Sequence, residues 1–222
     1  MRELYLFLLG LASGVVLLAM SAYRRVSPRW LKWALMASGL LVISRYVTLA
    51  LFTNPDAPNR LWALRHCWFG SAIGLSFPSV FAIDQLLRHP AMTPKKLLGW
   101  VAPFLVAFGA IILFGTLTPA PDPLLGWTLH LTTPWRVFAS VIQETFVMGF
   151  IGIGVLLMRK IPSRSIQLAL LGLIVGQAYL GLDGLLLALG GWYVRPFLYS
   201  EMVMGLALWH AYETAFTVQV NR

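Results

Sequence analysis

Seven long apolar runs decide most of what this 222-residue sequence can fold into. A helix needs about 20 consecutive apolar residues to cross the hydrocarbon core of a bilayer, and every run reaches that scale. Because lipid cannot satisfy an exposed backbone, each run is predicted to be a membrane-spanning helix. The predicted spans are residues 3–22, 31–52, 62–86, 97–117, 135–158, 165–189 and 196–217.

Composition excludes a soluble protein. Apolar and aromatic residues make up 59% of the chain and charged residues 11%, whereas soluble domains carry about 25% charged residues. The net charge of +9 does not indicate nucleic acid, because the basic residues form short clusters between the apolar runs. We therefore predict an all-α polytopic membrane protein, in which residues 1–222 form a single transmembrane domain folded as a bundle of seven helices.

The basic residues also predict an orientation. Eleven of the 17 Lys and Arg residues follow the first, third and fifth spans or lie at the C-terminus, and five lie on the other side. Because positively charged loops are typical of the cytoplasmic side, the N-terminus is predicted outside and the C-terminus in the cytoplasm. Residues 118–134 then form an outer loop. This loop is either an interfacial lid with aromatic anchors or a cap over an outward-facing pocket.

Ionisable side chains inside the spans need a partner or a role, because charges are costly in lipid. The candidate ligand site or polar network in the outer half consists of Arg45, Arg65, His66, Glu144, Tyr179, Asp183 and Glu201. We expect Arg45 to pair with one of the three acids, since its guanidinium stays charged. The cluster is either a closed structural network or the lining of an outward-opening pocket, with Trp68 or Tyr179 as an apolar wall.

A second polar group lies toward the cytoplasmic ends of the third and seventh spans. It consists of Asp84, His210 and Glu213. These side chains either approach the membrane interface as ordinary polar residues or form the contact that passes a helix movement to a cytoplasmic partner. A proton pathway from the outer acids to His210 and Glu213 is a third interpretation.

Motifs of known enzymatic chemistry are missing from the sequence. It contains no HExxH, no GxGxxG and no P-loop, and its single cysteine, Cys67, excludes an internal disulfide. Of the four histidines, His66 is in the outer half, His210 is in the inner half, and His89 and His130 lie in loops on opposite sides. His66 and His130 are both outside and could meet, but no metal site and no cofactor is predicted. Whether the protein is an enzyme stays open, and a non-enzymatic role is favoured.

Pairs of glycines four residues apart allow helices to approach each other closely. The pairs are Gly10 and Gly14, Gly70 and Gly74, and Gly172 and Gly176. We expect most of them to pack inside the bundle, and a homodimer face is the alternative.

Two segments of the chain resemble a known family. RYVTLALF is followed by a short loop and LWALRHCWFGSAIGLSFPSVFAIDQLL, in which Trp62, Arg65, Pro78, Phe81 and Ala82 match a recurring pattern. RPFLYSEMVMGLALWHAYETAF is similar to a last helix that opens with proline. This pattern resembles the N-terminal seven-transmembrane sensor region of bacterial histidine kinases and related signalling proteins. The resemblance implies a cytoplasmic output domain, so either that domain was removed or the chain signals through a partner.

The expected function is a membrane sensor or receptor-like module in the bacterial cytoplasmic (inner) membrane. It would bind a small or lipidic ligand in an outward-facing polar pocket and pass a helix movement to a cytoplasmic partner. The alternatives are an accessory subunit of a larger membrane complex, a transporter that uses the intramembrane arginine and acid cluster, and a membrane enzyme acting on lipid. The expected partners are the lipid bilayer and a signalling protein or membrane complex, and nucleic acid is not expected.

Overall fold

The computed structural model describes residues 2–54, 56–57, 61–88, 93–122, 126–189 and 197–220. Within these residues the chain forms seven α-helices, one 3-10 helix and two strands. The α-helices are α1 Arg2–Tyr23, α2 Arg29–Leu51, α3 Gly70–Leu87, α4 Pro94–Phe114, α5 Thr133–Lys160, α6 Arg164–Ala188 and α7 Leu198–Val220. The 3-10 helix Trp62–Phe69 leads into α3, and the strands β1 Leu117–Asp122 and β2 Gly126–Leu131 lie between α4 and α5.

In the described part of the chain, six helical segments are long and apolar enough to cross a membrane: α1, α2, Trp62–Leu87, α4, α5 and Arg164–Leu187. A multi-pass membrane protein built mainly from helices is therefore confirmed. The 23 residues of α7 would reach about 35 Å at the rise of an α-helix, but Glu201, His210 and Glu213 lower its mean hydropathy. That α7 is a seventh span stays a prediction.

The helices form a closed ring. Each helix packs against the next one in the chain, and α7 returns to pack against α1. Helix α7 also contacts α3 across the ring, which makes it the helix that touches the most distant parts of the sequence. Its core-facing side chains, such as Met204 and Leu208, are fully buried.

Glycine decides how closely α2 and α3 approach. A Cβ on Gly70 would meet the carbonyl oxygen of Leu41, and a Cβ on Gly74 would lie 2.6 Å from the carbonyl oxygen of Ser38. A larger residue would therefore force the two backbones apart, and the predicted internal packing of this pair is confirmed. No atom lies within 4 Å of a Cβ built on Gly10 or Gly14, so the prediction of internal packing is wrong for that pair.

The third predicted span begins differently from the prediction of one continuous helix. Its first turns form the 3-10 helix Trp62–Phe69, and the α-helix starts at Gly70. Side chains three residues apart eclipse one another in a 3-10 helix. This places the guanidinium carbon of Arg65 5.3 Å from the centre of the Trp62 ring and brings its Nη1 3.1 Å from the Trp62 carbonyl oxygen, to which it donates.

A β-hairpin replaces the predicted loop between α4 and α5. The strands are antiparallel, with Leu117 opposite Leu131 and Asp122 opposite Gly126. Gly126 has a φ of +90°, which residues with a side chain rarely adopt. The amide of Trp127 donates to the carbonyl oxygen of Phe52 at 3.0 Å. The hairpin is thereby fixed to the end of α2 and lies over the bundle.

Candidate functional site

One end of the bundle contains a cavity of about 210 Å³, which we call the hairpin cavity. Tyr5 near the start of α1, Leu49 near the end of α2, Trp127 of the hairpin and Phe197 just before α7 all line it. Successive helices therefore alternate in direction through the bundle. The other end of α7 lies near the end of α1, because Glu213 pairs with Arg25.

The wall of the hairpin cavity is mostly apolar. Its apolar lining comes from five helical segments and the hairpin and includes Leu49, Trp68, Phe108, Ile111, Leu129 and Leu180. Trp68 therefore forms an apolar wall, as predicted. The uncharged polar lining includes Ser71, Ser76, Thr128, Ser140 and Gln143. Ligand sites in proteins combine such apolar walls with a few converging polar groups.

The charged lining differs in sign from the prediction. The described residues that line the cavity include Arg45 and Arg136 but none of the acids Glu144, Asp183 and Glu201. An outward pocket lined by these three acids was therefore the wrong expectation. The acids occur at the expected levels in their helices, but their side chains turn toward neighbouring helices instead of the cavity.

Arg45 connects the cavity to α7 through a buried ion pair. Its Nε lies 2.9 Å from Oε1 of Glu201, and its Nη1 donates to the carbonyl oxygen of Trp68. Arg45 is 5% exposed and Glu201 is 0% exposed. The expectation that Arg45 pairs with an acid is confirmed, and Glu201 is that acid.

The ion pair is close but incompletely hydrogen-bonded. Neither carboxylate oxygen of Glu201 accepts a hydrogen bond of good geometry from the described residues, although Tyr46 interacts with the same carboxylate. Arg45 Nε is likewise not aligned with its partner oxygen. The short distance between the two charges, together with the interaction of Tyr46, therefore connects α2 to the first turn of α7.

The other two acids of the predicted outer cluster pack against α6 and α7. Asp183 accepts a hydrogen bond from the hydroxyl of Ser200, which joins α6 to α7. The carboxylate of Glu144 lies over two glycines of α6, since a Cβ on Gly181 or on Gly184 would lie 3.3 Å from one of its oxygens. Among the described residues neither acid forms an ion pair with Arg45, and the predicted outer cluster is therefore divided.

The remaining members of the predicted outer cluster do not line the cavity. Arg65 bonds within its own 3-10 helix. The Nδ1 of His66 lies 2.7 Å from the carbonyl oxygen of Ile112 and ties the 3-10 helix to α4. Tyr179 is partly buried on α6 and is not among the described lining residues.

The three side chains of the predicted inner group also have different neighbours. Glu213 pairs with Arg25 at 2.7 Å, and Asp84 is 9% exposed on α3, where Gln85 donates to it at 3.3 Å. His210 is on the exposed face of α7. A joint site of Asp84, His210 and Glu213 therefore does not form.

Two features of the site were not predicted from the sequence. Arg136 was expected only as an outer positive charge, although its place at the start of α5, directly after the hairpin segment, was an available signal. Gln177 and Ser79 are both fully buried, and the Gln177 amide donates to the Ser79 hydroxyl at 2.9 Å. Uncharged polar residues within apolar helices carry little sequence signal, so this bond between α6 and α3 could not be anticipated.

No group of three or more His, Cys, Asp or Glu side chains converges in the part of the chain that the structure describes. His89, one of the four histidines, lies outside that part. Arg60, Arg195 and Arg222, which contribute to the predicted orientation, lie outside it as well. Compared with known proteins, the chain matches no protein-family model, and no curated protein matches it.

Proposed function

We propose that this protein is a sensor-like membrane module that binds a small or lipidic ligand in the hairpin cavity and transmits a helix movement through α7. The observation that carries the proposal is the cavity itself, with a volume of about 210 Å³ and a lining from most of the helices and the hairpin. A cavity of about 150 Å³ already suffices to hold a benzene molecule. The hairpin cavity is therefore large enough for a small organic ligand.

The contacts of α7 support a route from the cavity to the far end of the bundle. Arg45 lines the cavity and pairs with Glu201 in the first turn of α7. At the opposite end of the same helix, Glu213 pairs with Arg25, and Tyr23 packs against Tyr212 with ring centres 4.8 Å apart. Because packed helices shift as rigid elements, a change at Arg45 would reach the residues around Glu213.

The proposed setting is the bacterial inner membrane, with the hairpin outside and the end of α7 in the cytoplasm. The split of basic residues between the two sides favours this orientation. The resemblance to the sensor region of histidine kinases favours a cytoplasmic signalling protein as the partner of α7. A helix movement at that end would be the signal that the partner reads.

The test fills the cavity without needing to know the ligand. Ala139 lines the cavity on α5, whereas Val137 of the same helix is 56% exposed. Ala139→Trp fills the cavity and Val137→Trp is its matched control. Nitroxide labels on cysteines at Lys160 and Thr217, in a Cys67→Ser background, report the distance between the far ends of α5 and α7 by pulsed electron paramagnetic resonance.

We expect Ala139→Trp to change the label distance by about 1–2 Å, the usual size of helix shifts in switching proteins. The Val137→Trp control should leave the distance as in the parent protein. If both variants give the parent distance, filling the cavity does not move α7, and the sensor proposal is refuted.

A further inference from the structure

The hairpin cavity has a positive lining in mostly apolar surroundings. Arg136 is exposed, and no carboxylate of the described residues forms an ion pair with it. Arg45 is buried and lines the cavity while pairing with Glu201. Walls of low polarity concentrate the field of such charges, so the cavity favours an anion over a neutral or cationic ligand.

The number of charges limits the charge of that anion. Arg45 and Arg136 contribute the two permanent positive charges of a lining that also contains His130, and Glu201 cancels one of these two charges through the ion pair. A single negative charge on the ligand balances the remainder, whereas a phosphate dianion would leave an excess negative charge in the bundle. The planar guanidinium fork matches a carboxylate in shape.

The volume limits the size of the ligand. Scaling from a cavity of about 150 Å³ that holds the six carbons of benzene, the hairpin cavity accommodates about eight or nine heavy atoms. Apolar side chains such as Phe108 and Leu129 would contact the part of the ligand that carries no charge.

We infer that the hairpin cavity binds a small monocarboxylate with an apolar body, and that the ligand carboxylate competes with Glu201 for Arg45. This inference rests on the proposed function and adds the class of ligand to it. The carboxylate lies between Arg45 and Arg136, and its apolar body lies against the aromatic and aliphatic wall. Binding weakens the ion pair between Arg45 and Glu201. Occupancy of the cavity is thereby linked to the position of α7, which runs from the cavity to the other end of the bundle.

The test compares benzoate with benzamide by isothermal titration calorimetry on the purified protein in a non-ionic detergent. Each probe has nine heavy atoms. They differ in one polar atom, a carboxylate oxygen in benzoate and an amide nitrogen in benzamide, and therefore in charge. We expect benzoate to bind at least about ten-fold more tightly, the effect of one charge-assisted hydrogen bond. Dodecanoate, measured in the same way, is larger than the cavity by this scaling and should bind more weakly than benzoate. Tighter binding of dodecanoate would identify the carboxyl end of a lipid chain as the ligand and would contradict the inferred small acid.

Variants identify the group that binds the carboxylate. Arg136→Gln removes an exposed side chain, so the fold is retained, and it should weaken benzoate binding about ten-fold while leaving benzamide binding unchanged. Arg65→Gln is the matched control, because Arg65 is an arginine of the same end of the bundle that bonds within its own helix. Glu201→Gln should strengthen benzoate binding several-fold, since it removes the competing carboxylate.

Three results would overturn the inference. Equal binding of benzoate and benzamide would show that the cavity does not select a carboxylate. Equal effects of Arg136→Gln and Arg65→Gln would show that Arg136 does not hold the anion. Weaker benzoate binding in Glu201→Gln would show that Glu201 does not compete with the ligand carboxylate for Arg45. None of these results depends on the label distance in Ala139→Trp, which is measured without a ligand. The sensor proposal is therefore tested separately from the class of ligand.

Discussion

The buried ion pair between Arg45 and Glu201 gives the sharpest test of how this bundle is held together. The atoms Nε and Oε1 are 2.9 Å apart, which corresponds to a gross attraction of about 6 kcal/mol at an effective dielectric constant of about 20. Removing one partner leaves the other charge buried and unpaired. Such a change typically lowers the free energy of unfolding by about 3–5 kcal/mol.

The perturbation is a double-mutant cycle of Arg45→Met, Glu201→Leu and the two together. Each single variant should lose about 3–5 kcal/mol of stability. The double variant should be within about 1 kcal/mol of the parent, because replacing both buried charges by apolar groups removes the desolvation cost together with the attraction.

The assay is reversible unfolding in mixed micelles, followed by far-ultraviolet circular dichroism. With these losses the cycle should give a coupling energy of at least about 5 kcal/mol between the two positions. The matched control is the pair of Arg25 and Glu213, whose side chains are 48% and 30% exposed and should couple by less than about 1 kcal/mol. Additive losses for Arg45 and Glu201, with coupling below about 0.5 kcal/mol, would refute the reasoning.

Two further predictions concern orientation and packing. The orientation is tested in a Cys67→Ser background with a membrane-impermeant thiol reagent added from outside. The reagent should label Thr118→Cys in the hairpin and leave Lys95→Cys unlabelled, because basic loops stay in the cytoplasm. The reverse labelling would show that the orientation is the opposite of the predicted one. Gly74→Val should destabilise the protein by about 1–3 kcal/mol, because the larger side chain overpacks the contact between α2 and α3. The same unfolding assay measures this loss. Gly14→Val is the control and should have little effect, since a Cβ at Gly14 meets no atom within 4 Å. Equal losses in the two glycine variants would contradict the packing argument.

The long helices of this protein could be predicted from the sequence. The sixth predicted span, residues 165–189, agrees within one residue at each end with the helix Arg164–Ala188. A long apolar run of this kind predicts a helix, because a helix satisfies its own backbone groups in lipid. That Arg45 needs an acidic partner also followed from the sequence, since a permanent charge in an apolar helix requires one.

Only the tertiary structure decided which acid is the partner and what lines the cavity. Glu144, Asp183 and Glu201 lie at similar depths, but successive residues of a helix point about 100° apart around its axis. The rotation of each helix therefore selects Glu201 for Arg45, while Asp183 bonds to Ser200. These rotations come from packing contacts between distant segments.

The hairpin and the positive cavity depended on tertiary structure for the same reason. The hairpin is stabilised by pairing between its strands and by the bond from Trp127 to Phe52, a contact between segments that are about 75 residues apart. Arg136 faces the cavity because α5 packs beside α4 and α6. The sequence determined which segments are long and apolar enough to cross a membrane, since that depends on the composition of each segment alone. The site depended on how the segments turn toward one another, which only their mutual packing determines.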